Sequence, residues 1–286
     1  MREIIKLLRP RQYIKNLFVL APLLFSFMFT LQSVTSSILA FALFSLIASS
    51  IYILNDIMDV NEDQNHPEKK HRPLVSGKVS IKTAKAIFVF LSTATLIITY
   101  FVNIDLFFVI LFYFVLNILY SIKLKHISIL DISIIAVGFV LRLYAGSVVI
   151  DSSLSIWIIL MTFLLALFLA LGKRRDDILL SDMNLKTRKN IDGYNLEFIN
   201  ISMIFMGAVT ITSYILYTVS SEVIVELGSQ NLYLTSFFVI IGLLRYLQIT
   251  FVEQKSGNPT QILYQDTFLK TTLALWIISF IIIVNI

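Results

Sequence analysis

The chain has no cysteine among its 286 residues, which excludes disulfides, thiolate nucleophiles and thiolate-bound metals. Charge is also scarce: Asp, Glu, Lys and Arg make up 14% of residues against 57% hydrophobic ones. That balance is far from a soluble protein's. A small-residue cleavage site does not follow the first apolar run, so the basic amino end is not expected to be a cleavable signal peptide. The formal charge of +5 is modest, its distribution matters more than its size, and no nucleic-acid partner is expected.

What the chain does have is a succession of Phe-, Ile- and Leu-rich runs. Nine of them are long enough to be bilayer-crossing candidates, near 17–31, 37–54, 84–102, 106–122, 128–150, 155–172, 199–219, 232–251 and 268–285. The runs are continuous rather than alternating. Hydrocarbon offers no partners to free backbone groups, so helices are the expected spanning element. An all-α integral membrane protein follows, with 1–286 as a single transmembrane domain. The connections alternate in character. Those at 1–16, 55–83, 123–127, 173–198 and 252–267 carry nearly all the Lys and Arg, whereas 32–36, 103–105, 151–154 and 220–231 carry none. By the positive-inside rule the basic side is cytoplasmic, which puts the amino terminus inside and the carboxy terminus outside. An odd number of crossings satisfies that pattern. The longest inside loops, near 55–83, 173–198 and 252–267, are expected to cap the cytoplasmic face.

The densest chemistry lies at the inner end of the second run, in Asn55-Asp56-Ile57-Met58-Asp59-Val60-Asn61-Glu62-Asp63. Carboxylates are costly in or beside hydrocarbon. If the segment stays helical, Asn55, Asp59 and Asp63 recur every four residues on one face. Oxygen donors alone suit a hard cation such as Mg²⁺, which commonly carries phosphates with it. A solvated helix end is the plainer alternative. Against it stand the number of acids and the basic residues that follow, Lys69, Lys70 and Arg72. His66 and His71 are read as loop residues, since nothing pairs them at metal-site spacing.

Other groups divide between anchoring and binding. Arg11, Lys15 and Asn16 lie beside the first run, as either an interfacial anchor or phosphate contacts at a cavity rim. Tyr120, Lys123, Lys125 and Asp131 surround a short basic turn that either sets topology or faces the acidic cluster. Arg142 sits well inside the fifth run, where an unpaired guanidinium costs several kcal/mol. It must face a polar cavity or a partner; Asp131 is three turns away. Lys173 and Arg174 are either snorkelling boundary residues or, with Arg175, Asp176 and Asp177, a second anion or metal station. Asp266 is a weaker candidate in the last inside loop, and Arg245 is intramembrane like Arg142 but nearer the inside face.

Taken together, the strings Arg9-Pro10-Arg11-Gln12-Tyr13-Ile14-Lys15-Asn16, Asn55-Asp56 to Asp63, His66-Pro67 to Arg72-Pro73, Tyr120 to Lys125, Gly138 to Arg142 with Ala145-Gly146, and Gly172-Lys173-Arg174 resemble the UbiA superfamily of intramembrane prenyltransferases. Within it they look most like the polyprenyl-phosphate phosphoribosyltransferase branch. The resemblance implies nine helices around a central cavity open to the cytoplasm and laterally to lipid, Mg²⁺, and a diphosphate-bearing donor. Where most members carry a second Asp-rich motif after the sixth span, this chain reads Lys173-Arg174-Arg175-Asp176-Asp177. That departure favours two phosphorylated substrates over an aromatic acceptor.

The function so implied is Mg²⁺-dependent transfer of a 5-phosphoribosyl group from phosphoribosyl pyrophosphate to a polyprenyl phosphate, at a cytoplasm-facing site in the cell membrane. The alternative is prenyl transfer from a prenyl diphosphate to an aromatic acceptor. A transporter is disfavoured, because the polar residues gather on one side. Asn55, Asp56, Asp59 and Asp63 are the implied metal ligands, with Asp59, Asp63 and Lys173 catalytic. Lys15, Asn16, Lys69, Arg72, Tyr120, Lys123, Arg142 and Arg174 are the implied substrate contacts. A homo-oligomer is left open.

Overall fold

A computed structural model describes residues 2–26, 28–64, 69–182, 193–255 and 259–285. Among them there is no strand. The helices group into two compact units, Met1–Ser155 with Asn184–Gly193, and Ile156–Met183 with Tyr194–Ile286. His66, Pro67, Glu68, Gly257 and Asn258 lie outside the described residues, as does the side chain of Lys69.

The first unit opens with α1 (Arg2–Leu8), a 3₁₀ segment (Pro10–Leu20) and α2 (Ala21–Phe25). It continues through α3 (Leu31–Met58), α4 (Val60–Asp63), α5 (Ile81–Val102), α6 (Ile104–Ile122) and α7 (Leu130–Val149). Side-chain oxygens start the long helices by taking up otherwise orphaned backbone donors. Thr30 accepts from the Ser33 N–H (3.1 Å), Ser80 from Thr83 (3.0 Å) and Asn103 from Leu106 (2.8 Å). α3 is the central element, with 61% of its apolar window buried against 17% for α5. Phe44, Ile47 and Ile51 of α3 pack with Ile110 and Tyr113 of α6 and Leu141 of α7. The outer face of α5 presents Phe90 and Phe101 outward, as a lipid-facing helix would. Its hydroxyls return to their own helix: Ser92 donates to Phe88 O and Thr95 to Leu91 O, both at 2.7 Å.

The second unit contains α8 (Ile156–Asp182), α9 (Leu196–Val219), α10 (Ser221–Leu227), α11 (Ser236–Phe251), α12 (Pro259–Gln265) and α13 (Thr267–Asn285). A small polar knot holds one end. Tyr214 Oη is 2.7 Å from Thr235 Oγ1 and accepts from Trp276 Nε1 at 2.8 Å.

Among the described residues eight helices are long and apolar enough to cross a membrane, and this is a multi-pass membrane protein. One expected span takes another form. Instead of a single α-helix over 17–31, the chain runs as the 3₁₀ segment followed by the five residues of α2. Pro10 disfavours right-handed helical geometry at Arg9, which sits at φ 53° and ψ 56°, and Pro22 lies in the first turn of α2, where its missing N–H costs nothing.

Candidate active site

The acidic motif stands where α3 gives way to α4. Asp59 leaves helical geometry (φ −95°, ψ 4°), yet its N–H still bonds Asn55 O at 2.9 Å, and the Asp63 N–H bonds Asp59 O at 2.9 Å. The four-residue hydrogen-bonding register therefore survives a local bend. The side chains do not all turn one way, as an uninterrupted helix would have them. Asn55 and Asp59 face the end of α6, where Ser121 Oγ lies 2.6 Å from Asn55 Oδ1 and Lys125 Nζ donates to Asp59 Oδ1 at 2.5 Å. Asp56 and Asp63, seven residues apart and so on one side of the helix, meet Arg72. Its Nη1 donates to Asp56 at 3.1 Å and also to Asp63. Arg9 pairs with Asp56 as well, its guanidinium 5.4 Å from the centre of the Tyr52 ring. Asp56 and Asp63 are buried.

Beside this cluster lies a second, purely cationic one. Arg142, 5% exposed, donates through Nε to Asn16 Oδ1 (2.8 Å), through Nη1 to Gly138 O (2.6 Å) and through Nη2 to Tyr113 Oη (3.3 Å). The rings of Phe44, Tyr113 and Phe139 each lie within 5.0–5.2 Å of its guanidinium carbon. Asp131 is not its partner. Neutral acceptors and ring faces hold the charge instead, each ring contributing roughly 0.5–2 kcal/mol. Asn16 is fully buried and also donates to Ser45 Oγ at 3.0 Å, so it ties the 3₁₀ segment to α3 and α7 at once. Lys15, half-buried, lies within electrostatic reach of Arg142 and Arg9 and makes no ion pair among the described residues.

The UbiA prenyltransferase family model matches residues 19–278, which is most of the chain. The chain belongs to the UbiA prenyltransferase family. It is a transferase. It is 32% identical over 286 residues to the decaprenyl-phosphate phosphoribosyltransferase of Mycolicibacterium smegmatis, covering 96% of this chain and 90% of that one. It is 27% identical over 289 residues to the Mycobacterium tuberculosis H37Rv protein of the same name, covering 96% and 91%. Among solved structures, a UbiA homolog from Archaeoglobus fulgidus bound to GPP and Mg²⁺ superposes with a TM-score of 0.71 at 20% identity, covering 99% of this chain and all of that one. At that identity the likeness is one of fold.

In this UbiA-family protein several expected site residues take other places. Lys123 is the exposed residue closing α6, and Lys125, two positions on, reaches the acids. Tyr120 is half-buried, and no hydrogen bond to its hydroxyl occurs among the described residues. Arg72 joins the cluster as expected. Arg9 and Ser121 lie within the quoted strings but are not among the expected site residues: Arg9 because its reach depends on the left-handed turn before Pro10, Ser121 because sequence does not show that it meets Asn55. In the second unit Lys173 is exposed, while Arg174 is buried and pairs with Asp177 of its own helix at 2.6 Å. Arg175 is buried too, donating to Asn200 Oδ1 (3.0 Å) and Thr250 O (2.8 Å).

Asp266 and Arg245 pair with each other at 2.7 Å, with Glu253 at 3.0 Å from the same guanidinium. The Arg245 hydrogen bond holds the Asp266 carboxyl below the usual carboxylate range. This group ties two chain segments together. Asp266→Asn is expected to leave turnover within about twofold and to shift the melting temperature only slightly, since solvent screens a partly exposed pair. A thermal-shift measurement beside a turnover assay checks both.

Among the described residues no three of His, Cys, Asp and Glu converge on a point that could hold a metal ion. The donor set is nevertheless oxygen only, and Asp56 and Asp63 already converge on one cationic group, the Arg72 guanidinium. Two buried carboxylates sharing a cation fit the chemistry of a hard metal.

Proposed function

We propose that this protein transfers a 5-phosphoribosyl group from phosphoribosyl pyrophosphate to a polyprenyl phosphate, releasing pyrophosphate. The observation that carries the proposal is a surplus of positive charge. Asp56, Asp59 and Asp63 are matched by Arg9, Arg72 and Lys125, and Lys15 and Arg142 remain beyond that balance with no carboxylate partner among the described residues. A neutral aromatic acceptor leaves such a surplus unanswered. A phosphate acceptor beside a diphosphate donor answers it, and the names of the mycobacterial relatives agree.

An oxygen of the acceptor phosphate attacks the anomeric carbon as the bond to pyrophosphate breaks, and pyrophosphate leaves with the electron pair. A phosphate monoester is already anionic near neutral pH, so no general base is needed. Asn55, Asp56, Asp59 and Asp63 would hold Mg²⁺, which when bound supplies charge neutralisation for the diphosphate. Arg9 and Arg72 are placed to donate to its oxygens. Lys15 and Arg142 supply a standing positive field for the acceptor phosphate, with Asn16 fixing Arg142. By family resemblance, Tyr120 and Lys123 line the lipid side, and Lys69, Lys173 and Arg174 contact phosphates.

In this proposal the whole chain acts as one domain of the cell membrane with its site facing the cytoplasm. The first of nine crossings is formed in this proposal by the end of the 3₁₀ segment and α2, entered past Arg11 and Lys15. That crossing puts the termini on opposite sides, as the distribution of Lys and Arg requires.

The test is incubation of purified protein with Mg²⁺, radiolabelled phosphoribosyl pyrophosphate and a polyprenyl phosphate, followed by organic extraction. Label is expected in the lipid phase and is expected to vanish with EDTA. Transfer from a labelled prenyl diphosphate to an aromatic acceptor, with none from phosphoribosyl pyrophosphate, would overturn the proposal.

A further inference from the structure

Ser121 presents a problem of proton counting. Its hydroxyl is fully buried and lies 2.6 Å from two oxygens, Asn117 O and Asn55 Oδ1. A serine hydroxyl carries one proton and cannot make a full-strength hydrogen bond to both. Asn117 O sits one turn earlier on α6, the usual acceptor for a serine within a helix. If the proton goes there, the contact with Asn55 is favourable only when the carboxamide supplies the hydrogen. The two ends of a carboxamide have nearly the same shape, so turning it over costs nothing in packing and satisfies both contacts.

We infer that Ser121 is a positioning residue for Asn55: it accepts a hydrogen bond from the Asn55 Nδ2 and thereby turns Oδ1 to the side of the amide where no hydrogen bond is made among the described residues. Asn55 then offers the acidic motif a neutral oxygen donor, locked in direction from α6. The register supports this. Ser121 and Lys125 are four residues apart, as are Asn55 and Asp59, and they meet in order, Ser121 on Asn55 and Lys125 on Asp59. The end of α6 and its following turn thus set the orientation of two members of the motif, one through a hydroxyl and one through a charge. The inference rests on the proposed metal–diphosphate role of the motif.

Mn²⁺ binding in the presence of pyrophosphate, followed by electron paramagnetic resonance on the full-length protein in detergent, is the measurement. Ser121→Ala is expected to weaken Mn²⁺ binding by roughly ten- to a hundredfold, the usual effect of losing a residue that orients a metal ligand. Ser121→Thr keeps the hydroxyl and is expected to remain within about threefold of the parent. Asn55→Ala should weaken binding as much as Ser121→Ala, and the double variant no more than Asn55→Ala alone, because Ser121 acts only through Asn55. Additive losses, equal losses in the Ala and Thr variants, or a harmless Asn55→Ala would overturn the assignment. Failure of the parent protein to bind Mn²⁺ with pyrophosphate would instead count against the proposed function itself.

Discussion

Asp59→Ala is expected to abolish transfer, by about a thousandfold or more, while the protein still inserts and folds. Asp59 is the acid at the bend between α3 and α4, and among the described residues its ion pair is with Lys125. Losing a metal ligand forfeits several kcal/mol of transition-state charge stabilisation, and each 1.36 kcal/mol is about a factor of ten in rate. The alanine variant also takes the Asp59 carboxylate away from Lys125, whose side chain is 11% exposed. Its stability is therefore expected to drop, and activity alone would confuse two effects. Asp59→Asn separates them. The amide oxygen still accepts from Lys125, so the fold is held, but the negative charge is gone. Both variants should be inactive in the radiolabel assay, and only the alanine variant should melt measurably earlier. Turnover above a tenth of the parent's in Asp59→Asn would remove Asp59 from the metal set.

Gly146→Ala is the change expected to do most damage to the structure around the site. A Cβ on Gly146 would lie 1.9 Å from Val19 O and 2.9 Å from Val19 C, both backbone atoms that cannot swing aside. The 3₁₀ segment and α7 would have to separate, and overpacking of this kind costs typically 1–3 kcal/mol or more. The penalty falls on a segment with a task, since Lys15 and Asn16 lie on the same 3₁₀ stretch and Asn16 is hydrogen-bonded to Arg142. Expected results are a drop of several degrees in detergent melting temperature and at least a tenfold loss of transfer. Gly138→Ala is the matched control on the same helix. Its Cβ would come no nearer than 3.5 Å, to the Arg142 side chain, and its melting temperature should stay close to the parent's.

Much of this was legible in the residues. Long apolar runs mark out α3, α5 to α9, α11 and α13, because hydrocarbon allows little besides helix. The acidic motif announces itself because charge beside lipid has few other reasons to exist. What could not be read was direction. Lys123 and Lys125 are equivalent in sequence, and which one reaches Asp59 is decided by the 3₁₀ turn Leu124–His126. Arg142 was expected to face a polar cavity or a partner, and its partners are three aromatic faces with neutral acceptors. The stretch 17–31 has the hydropathy of an ordinary span, but hydropathy does not distinguish α from 3₁₀ winding. Asn16 is hydrogen-bonded to Ser45 and Arg142, an arrangement that only a packed environment reveals.

Among the described residues three acids stand against three bases at the end of α3, and in the proposed reaction that balance sets how the site fills. A divalent ion arriving alone would leave two uncompensated charges in a poorly solvated place, and a diphosphate arriving alone would bring the opposite excess. Each partner lowers the electrostatic cost of the other. In the proposed reaction ion and donor are therefore expected to load together, and pyrophosphate to leave with the ion. Binding is then expected to respond weakly to either component alone and steeply to their product.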